Sequence, residues 1–183
     1  MKDENRLSGL KKHSEELNRV VVESLREALI DLMGKFPFDK ISITALCKRA
    51  GVSRMAFYGN FSSKEDVIDS IVIDLCKELV KVSGTPVRKN TTLKWYEDFF
   101  SFIKEKASIL KPIFKAGFEN RYLMHLNGMV LTDENAPTNK KYQRLIWTGG
   151  IEKAVSYWLE TGMKESVLDV AKYCNENLSP WNY

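Results

Sequence analysis

The sequence predicts an all-α protein with a small N-terminal bundle and a larger helical domain behind it. Three observations predict it. Apolar residues recur at three- and four-residue spacing along nearly the whole chain. Alternating strand patterns of useful length are missing, as are Asn-Gly and Asp-Gly hairpin turns. Residues 43–64, ITALCKRAGVSRMAFYGNFSSK, place two short helical patterns either side of Gly51, the spacing of a helix-turn-helix.

At 183 residues, 44% apolar and 11% aromatic, the chain can bury a sizeable core, as one large domain or two small ones. Its net charge of +4 excludes a polybasic nucleic-acid coat. The local distribution is more telling. Lys40, Lys48, Arg49, Arg54 and Lys64 lie between the flanking acids Asp39 and Glu65, and such a patch attracts phosphates or is simply a solvated basic face. Cys47, Cys76 and Cys174 are odd in number and far apart, which fits neither a disulfide framework nor a zinc site, and suits a reducing cytoplasm. The first residues lack the apolar core of a signal peptide and no apolar run spans a bilayer, so a cytoplasmic protein without membrane contact is expected.

In chain order, residues 1–13 are polar and mixed in charge, and are expected to form a flexible arm. Ser14 is placed to cap a first helix whose stripe is Leu17, Val21, Leu25, Ala28, Leu29 and Leu32, ended by Gly34 and Pro37. Phe38 and Ile41 are expected to plug the floor of the bundle, and Ser42 to cap the helix over residues 43–50. Val52 should be buried in the turn and Ser53 should cap the second motif helix, with Phe57 and Phe61 facing inward. That leaves Ser53, Arg54, Met55, Ala56, Gly59 and Asn60 on the outer face. Ser62 with Glu65, or Ser63 with Asp66, opens the next helix as a capping box, and Ser83-Gly84-Thr85-Pro86 ends it. A first domain over residues 14–83 and a second over 84–183 follow.

The second domain begins with a polar linker and then crowds its aromatics. Trp95, Tyr96, Phe99, Phe100, Phe114, Phe118, Tyr122 and Trp147 either line an apolar pocket for a small apolar or aromatic effector, or form ordinary core. Breaks are expected at Ser108 (as a cap), Gly117 and Gly128, and a loop over residues 132–139. A long helix over residues 140–160 closes at Gly162, and Ser166 with Asp169 caps the last helix. The chain should hold about nine helices. Gly149-Gly150 inside a helix costs roughly 2 kcal/mol against Ala-Ala, which close approach of another helix can offset. That helix belongs either to the same subunit or to a partner facing Ile146, Gly150, Ala154, Tyr157 and Trp158 across a two-fold axis.

The residues have separable capacities toward DNA. Tyr58 and Lys64 can donate to phosphate oxygens, Lys64 from the start of a helix, and Thr44 can meet the backbone at the N-terminus of the first motif helix. Arg54 matches guanine O6 and N7, at about 1–3 kcal/mol per good pair, or else contacts a phosphate. Asn60 suits adenine, and Met55 or Ala56 a thymine methyl.

The stretch VSRMAFYGNFSSKEDV resembles the TetR family of bacterial transcriptional regulators. The family's pattern is matched at Ala50, Gly51, Val52, Ser53, Phe57, Tyr58, Phe61, Ser63, Lys64 and Glu65, and the resemblance extends over residues 17–73. YQRLIWTGGIEKAVSYWLETGMKES more loosely resembles the dimerisation helix of such regulators, in particular the dihydroxyacetone-kinase regulator branch. The resemblance implies a homodimer on a palindromic double-stranded DNA operator, with the sites at Thr44, Ser53, Arg54, Met55, Tyr58, Gly59, Asn60 and Lys64. It also implies a repressor released by a small-molecule ligand, with no metal or other cofactor. Two departures stand out: Asn60 replaces the family's usual His, and Gly59 stands where a larger residue is common. They leave open a second role, a ligand-binding co-activator that acts through a protein partner. Enzymatic function has no support, because paired carboxylates, a Ser-His-Asp set, a metal cluster and a phosphate loop are all missing, and His13 and His125 are the only histidines.

Overall fold

A computed structural model describes residues 2–84, 92–130 and 137–178, with side chains from residue 12 onward except at positions 122, 123, 126, 127, 129 and 130. Among the described residues there are nine α-helices and one 3-10 turn, and no strand. The helices are α1 (Lys2–Met33), α2 (Ile43–Ala50), α3 (Arg54–Tyr58), α4 (Lys64–Ser83), α5 (Leu93–Glu105), α6 (Ala107–Lys115), α7 (Glu119–Val130), α8 (Thr138–Glu160) and α9 (Val167–Leu178), with the turn at Phe38–Lys40. The all-α expectation and its helix count hold.

The chain divides into two compact units, Met1–Ser70 and Ile71–Tyr183. The division falls within α4, upstream of the Ser83-Gly84 break expected from sequence. Buried Val67 and Ile68 belong to the first unit, and buried Ile71, Val72, Leu75, Cys76 and Leu79 to the second. A breaker marks where a helix stops, whereas a unit boundary depends on which side chains its faces meet.

In the first unit α1 packs on α2 and α3. Leu25, Ala28, Leu29, Met33, Ile41, Leu46, Cys47 and Phe57 form its core with Val67 and Ile68. The helix expected to start at a Ser14 cap runs from Lys2 instead, so α1 includes the segment expected to be an arm. Its side chains from Lys12 to Val20 are exposed, and Leu17, expected in the apolar stripe, is 56% accessible. Arg26 joins α1 to α4 by donating from Nε to Ser70 Oγ at 2.9 Å and from Nη2 to Ser70 O at 3.2 Å.

The second unit packs α5 on α9, α7 on α8, and α8 on α6 and α9. Thr92 Oγ1 accepts from Trp95 N and caps α5. The α5–α6 break comes at Lys106, two residues before the expected Ser108 cap, and that junction makes no side-chain cap bond. Gly117, at φ +80°, ends α6, a conformation that favours glycine. Gly128 lies inside α7, so the break expected there does not form; a single glycine costs about 1 kcal/mol in a helix, which packing can outweigh. Ser166 Oγ accepts from Asp169 N at 3.2 Å and caps α9 as expected. No helix among the described residues is long and apolar enough to cross a membrane.

Candidate nucleic-acid interface

Local bonds set the motif before any tertiary contact does. Ser42 Oγ accepts from Ala45 N at 3.1 Å and starts α2. Gly51 ends it in the left-handed region, at φ 69° and ψ 26°, and Val52 N returns to Cys47 O at 3.1 Å. This is a Schellman closure, which reverses the chain at a residue with no Cβ penalty. Ser53 Oγ then accepts from Ala56 N at 3.0 Å and starts α3. The Ser53 hydroxyl, expected on the DNA face, therefore acts first as a helix cap.

Phe57 anchors α3 from below. It is fully buried, with its ring 5.2 Å from that of Tyr58 at near-perpendicular inclination and 6.2 Å from that of Phe61. Phe61 and Val52 are only half-buried, although both were expected inside. The helix is short. Gly59 is its C-cap at φ −71°, and Asn60 N returns to Phe57 O. A pattern extending to Phe61 thus closes one turn early.

On the opposite side α3 presents Arg54, Met55 and Tyr58. Met55 is 83% accessible and Tyr58 50%. The Arg54 guanidinium carbon lies 5.9 Å from the Tyr58 ring centroid, within the range of a cation–π contact. Thr44 is exposed in the first turn of α2. Asn60 donates from Nδ2 to Ala56 O at 2.9 Å, which commits one of its two N–H groups within the motif.

Lys64 sits differently from the expected phosphate donor. Its Nζ donates to Phe38 O at 2.8 Å and to Ile41 O at 2.6 Å, and lies 4.3 Å from the Phe38 ring centroid. Two of the three ammonium donors therefore tie the start of α4 to the 3-10 turn. Of the two possible capping boxes, the one at Ser63 forms: Asp66 N donates to Ser63 Oγ at 3.1 Å, and Ser62 N and Ser63 N donate to Asp66 Oδ2.

Other parts of the basic stretch are also braced. Arg49 Nε donates to Asp31 Oδ2 at 2.6 Å and links α2 to α1, while Lys35 reaches Asp31 from the next turn at 2.8 Å. These two hydrogen-bonded cations hold the Asp31 carboxyl below the usual carboxylate range. Lys40 pairs with Asp39 at 3.2 Å. The Asp31 brace was not anticipated from sequence; an acid eighteen residues from its arginine has no periodic signature. Cys47 is buried, and burial pushes its thiol up, as it does for Cys76 (to about 12) and Cys174 (to about 11). Among the described residues no His, Cys, Asp and Glu group could hold a metal.

Residues 25–71 match the family model described as bacterial regulatory proteins, tetR family. The chain carries a TetR-family N-terminal domain. Solved structures extend the TetR likeness to the whole fold. A TetR transcriptional regulator from Streptococcus agalactiae 2603V is 17% identical, with a TM-score of 0.68 over 92% of this chain and 98% of that one. The dihydroxyacetone kinase operon activator DhaS is 16% identical, with a TM-score of 0.56 over 86% and 93%. The fatty acid degradation regulator FadR from Bacillus halodurans is 15% identical, with a TM-score of 0.59 over 87% and 94%. No curated protein matches the chain by sequence. At these identities the likeness shows the fold alone: a helix-turn-helix domain followed by a larger helical domain.

Within that larger domain five of the expected pocket residues, Trp95, Tyr96, Phe99, Phe100 and Trp147, are brought together as core. Trp95 stacks on Phe99 at 5.2 Å and meets Trp147 at 5.5 Å, Phe99 meets Phe100 at 5.1 Å, and Trp147 Nε1 donates to Tyr96 Oη at 2.9 Å. Phe114 is buried in α6, and Phe118 is half-buried with the Arg121 guanidinium 5.3 Å from its ring. The Tyr122 side chain lies outside the described residues. Of the two readings of these aromatics, packed core is the one their mutual ring contacts favour.

The expected partner-facing set divides. Ile146 and Tyr157 are 69% and 66% accessible on α8, and Ala154 is half-buried. Trp158 is instead buried, with its ring 5.5 Å from Phe100 and its Nε1 donating to Glu165 O at 3.2 Å. Gly150 faces Leu178 of its own chain; a Cβ there would lie 2.6 Å from Leu178 Cδ2. These two positions are corrected to internal packing. A helix with 3.6 residues per turn buries one flank while exposing the adjoining one, and sequence spacing could not tell which flank held Trp158.

Proposed function

We propose that this chain is a homodimeric, sequence-specific DNA-binding transcriptional regulator. It acts in the cytoplasm as a repressor, and a small-molecule effector taken up by the C-terminal domain releases it from a palindromic operator. It has no enzymatic role. The reading is carried by α3: a helix fixed by Gly51, Ser53 and buried Phe57 that exposes Arg54, Met55 and Tyr58 together.

In this reading Arg54 and Met55 meet base edges in the major groove, with Asn60 adding its remaining N–H. Tyr58 and Thr44 meet phosphates, while Ser53 and Gly59 set how closely the helix ends approach the backbone. Lys64 contributes its charge and remaining donor, from a position held by Phe38 and Ile41. The exposed α8 residues Ile146 and Tyr157, with Ala154 between them, form the two-fold interface.

A second reading, a ligand-binding co-activator working through a protein partner, draws on Lys64 and Asn60 both donating within the domain. One structural neighbour is itself named as an operon activator. A mobility-shift titration with genomic fragments, including the upstream region of the gene, separates the two. Direct binding predicts a preferred fragment, strong weakening by salt, and loss of the preference in Arg54→Ala. Equal retention of all fragments at every salt, with capture of a second regulator, favours the partner.

A further inference from the structure

The C-terminal unit is mostly apolar inside, yet α8 carries a polar stripe on the flank it turns inward. Arg144, Thr148 and Glu152 follow each other at four-residue spacing, which places them on successive turns of one face. Thr148 is fully buried and Glu152 is 2% accessible. Thr148 Oγ1 donates to Leu145 O at 3.1 Å, and Glu152 Oε1 accepts from Lys153 Nζ at 3.3 Å. Arg144 is the exception. The residue is half-buried, and its Nε and Nη1 are closed to water and make no hydrogen bond. On the preceding residue Gln143 Oε1 is closed off without a donor, and so is Glu119 Oε2 at the start of α7, the helix that packs on α8.

A guanidinium has only donors and keeps its charge at any physiological pH. Sealing two of its nitrogens without an acceptor is among the costlier arrangements in a protein interior. Neither Gln143 nor Glu119, each with an unused acceptor oxygen, pairs with it. What Arg144 lacks is an anionic acceptor, and what Gln143 and Glu119 lack is a donor. We infer that the effector site of the C-terminal unit lies at this stripe and takes a small polar anion, a carboxylate or phosphate whose negative group binds Arg144. A hydroxyl or amine of the same molecule donates to Gln143 or Glu119. This deepens the effector-responsive reading above and moves the site from the aromatic cluster to the polar flank of α8. Arginine suits the task, because its fixed donors match planar carboxylate and tetrahedral phosphate alike.

The test uses the full chain and needs no operator, so it stands or fails apart from DNA recognition. Thermal unfolding and titration calorimetry are run with succinate, lactate, glycerol phosphate and inorganic phosphate against sodium chloride at matched ionic strength, and with indole as a neutral aromatic probe. The expected result is a saturable rise in Tm with at least one anion. The carboxylate and phosphate arms identify the head group. Arg144→Met should unfold at or above the wild-type temperature without ligand, since it removes an uncompensated charge, and should bind that anion about 10- to 100-fold more weakly. Should Arg144→Met fail to fold, Arg144→Gln replaces it with the same expected loss of affinity. No saturable rise with any anion, an unchanged rise in the variant, or a response to indole alone would overturn the inference.

Discussion

Lys64 holds Phe38 twice, donating from Nζ to its carbonyl oxygen at 2.8 Å and resting the same ammonium 4.3 Å from its ring centroid. A residue expected to serve DNA is thereby also a tie across the N-terminal unit. Lys64→Met should lower stability by about 1–3 kcal/mol, because the carbonyls of Phe38 and Ile41 lose a charged donor. Urea unfolding of the purified protein measures it. An unchanged midpoint, with reduced DNA affinity, would mean that the two bonds contribute nothing in solution.

Gly59 was a departure from the family pattern, and its geometry does not require glycine. Its φ of −71° suits any residue, and an added Cβ would lie 3.4 Å from Met55 O, ordinary contact. Gly59→Ala should therefore stabilise the chain by about 0.4–1 kcal/mol by reducing the freedom of the unfolded state. Chemical denaturation at neutral pH reports this, and a lower midpoint would reveal strain at the turn.

The two adjacent glycines of α8 should respond differently. A Cβ on Gly149 meets open space within the chain, so Gly149→Ala should gain about 1 kcal/mol from helix propensity alone. At Gly150 the new Cβ displaces Leu178, and overpacking offsets that gain. Matching stabilities for the two variants would contradict the observed packing. Sedimentation of the same pair tests the interface: if a partner helix lies along Ile146 and Tyr157, Gly149→Ala is the variant that weakens the dimer.

Asp31 links folding to acid. Arg49 and Lys35 hold its folded pKa below the ordinary carboxylate value. The associated stabilisation is present above the unfolded pKa and is lost as pH falls through the folded one, so Asp31→Asn should flatten the decline of Tm between about pH 5 and pH 2. Parallel slopes for the wild type and the variant would show that the brace does not persist in solution.

The TetR-type motif was legible because its instructions are local. Ser42, Gly51, Ser53 and the Ser63–Asp66 box each act within three to five residues, and all form as the spacing suggested. The interior of the larger domain was less legible. Gly128 resembled a stop signal and Ser108 a cap, yet α7 runs through the first and α6 begins before the second. Local propensities of about 1 kcal/mol yield to packing on helices that sequence spacing does not identify.

By itself the sequence determined the helical class, the turn at Gly51, and the outward pair Arg54 and Met55, since these follow from periodicity and backbone conformation within a few residues. Only the tertiary structure decided that Lys64 spends two donors on a distant turn, that Arg49 reaches Asp31, and that Trp158 and Gly150 face inward. It also decided that two guanidinium nitrogens of Arg144 are closed off without an acceptor. The physical reason is the same for each. A helical period specifies which residues share a face, but the partner of that face is set by elements far away in the chain.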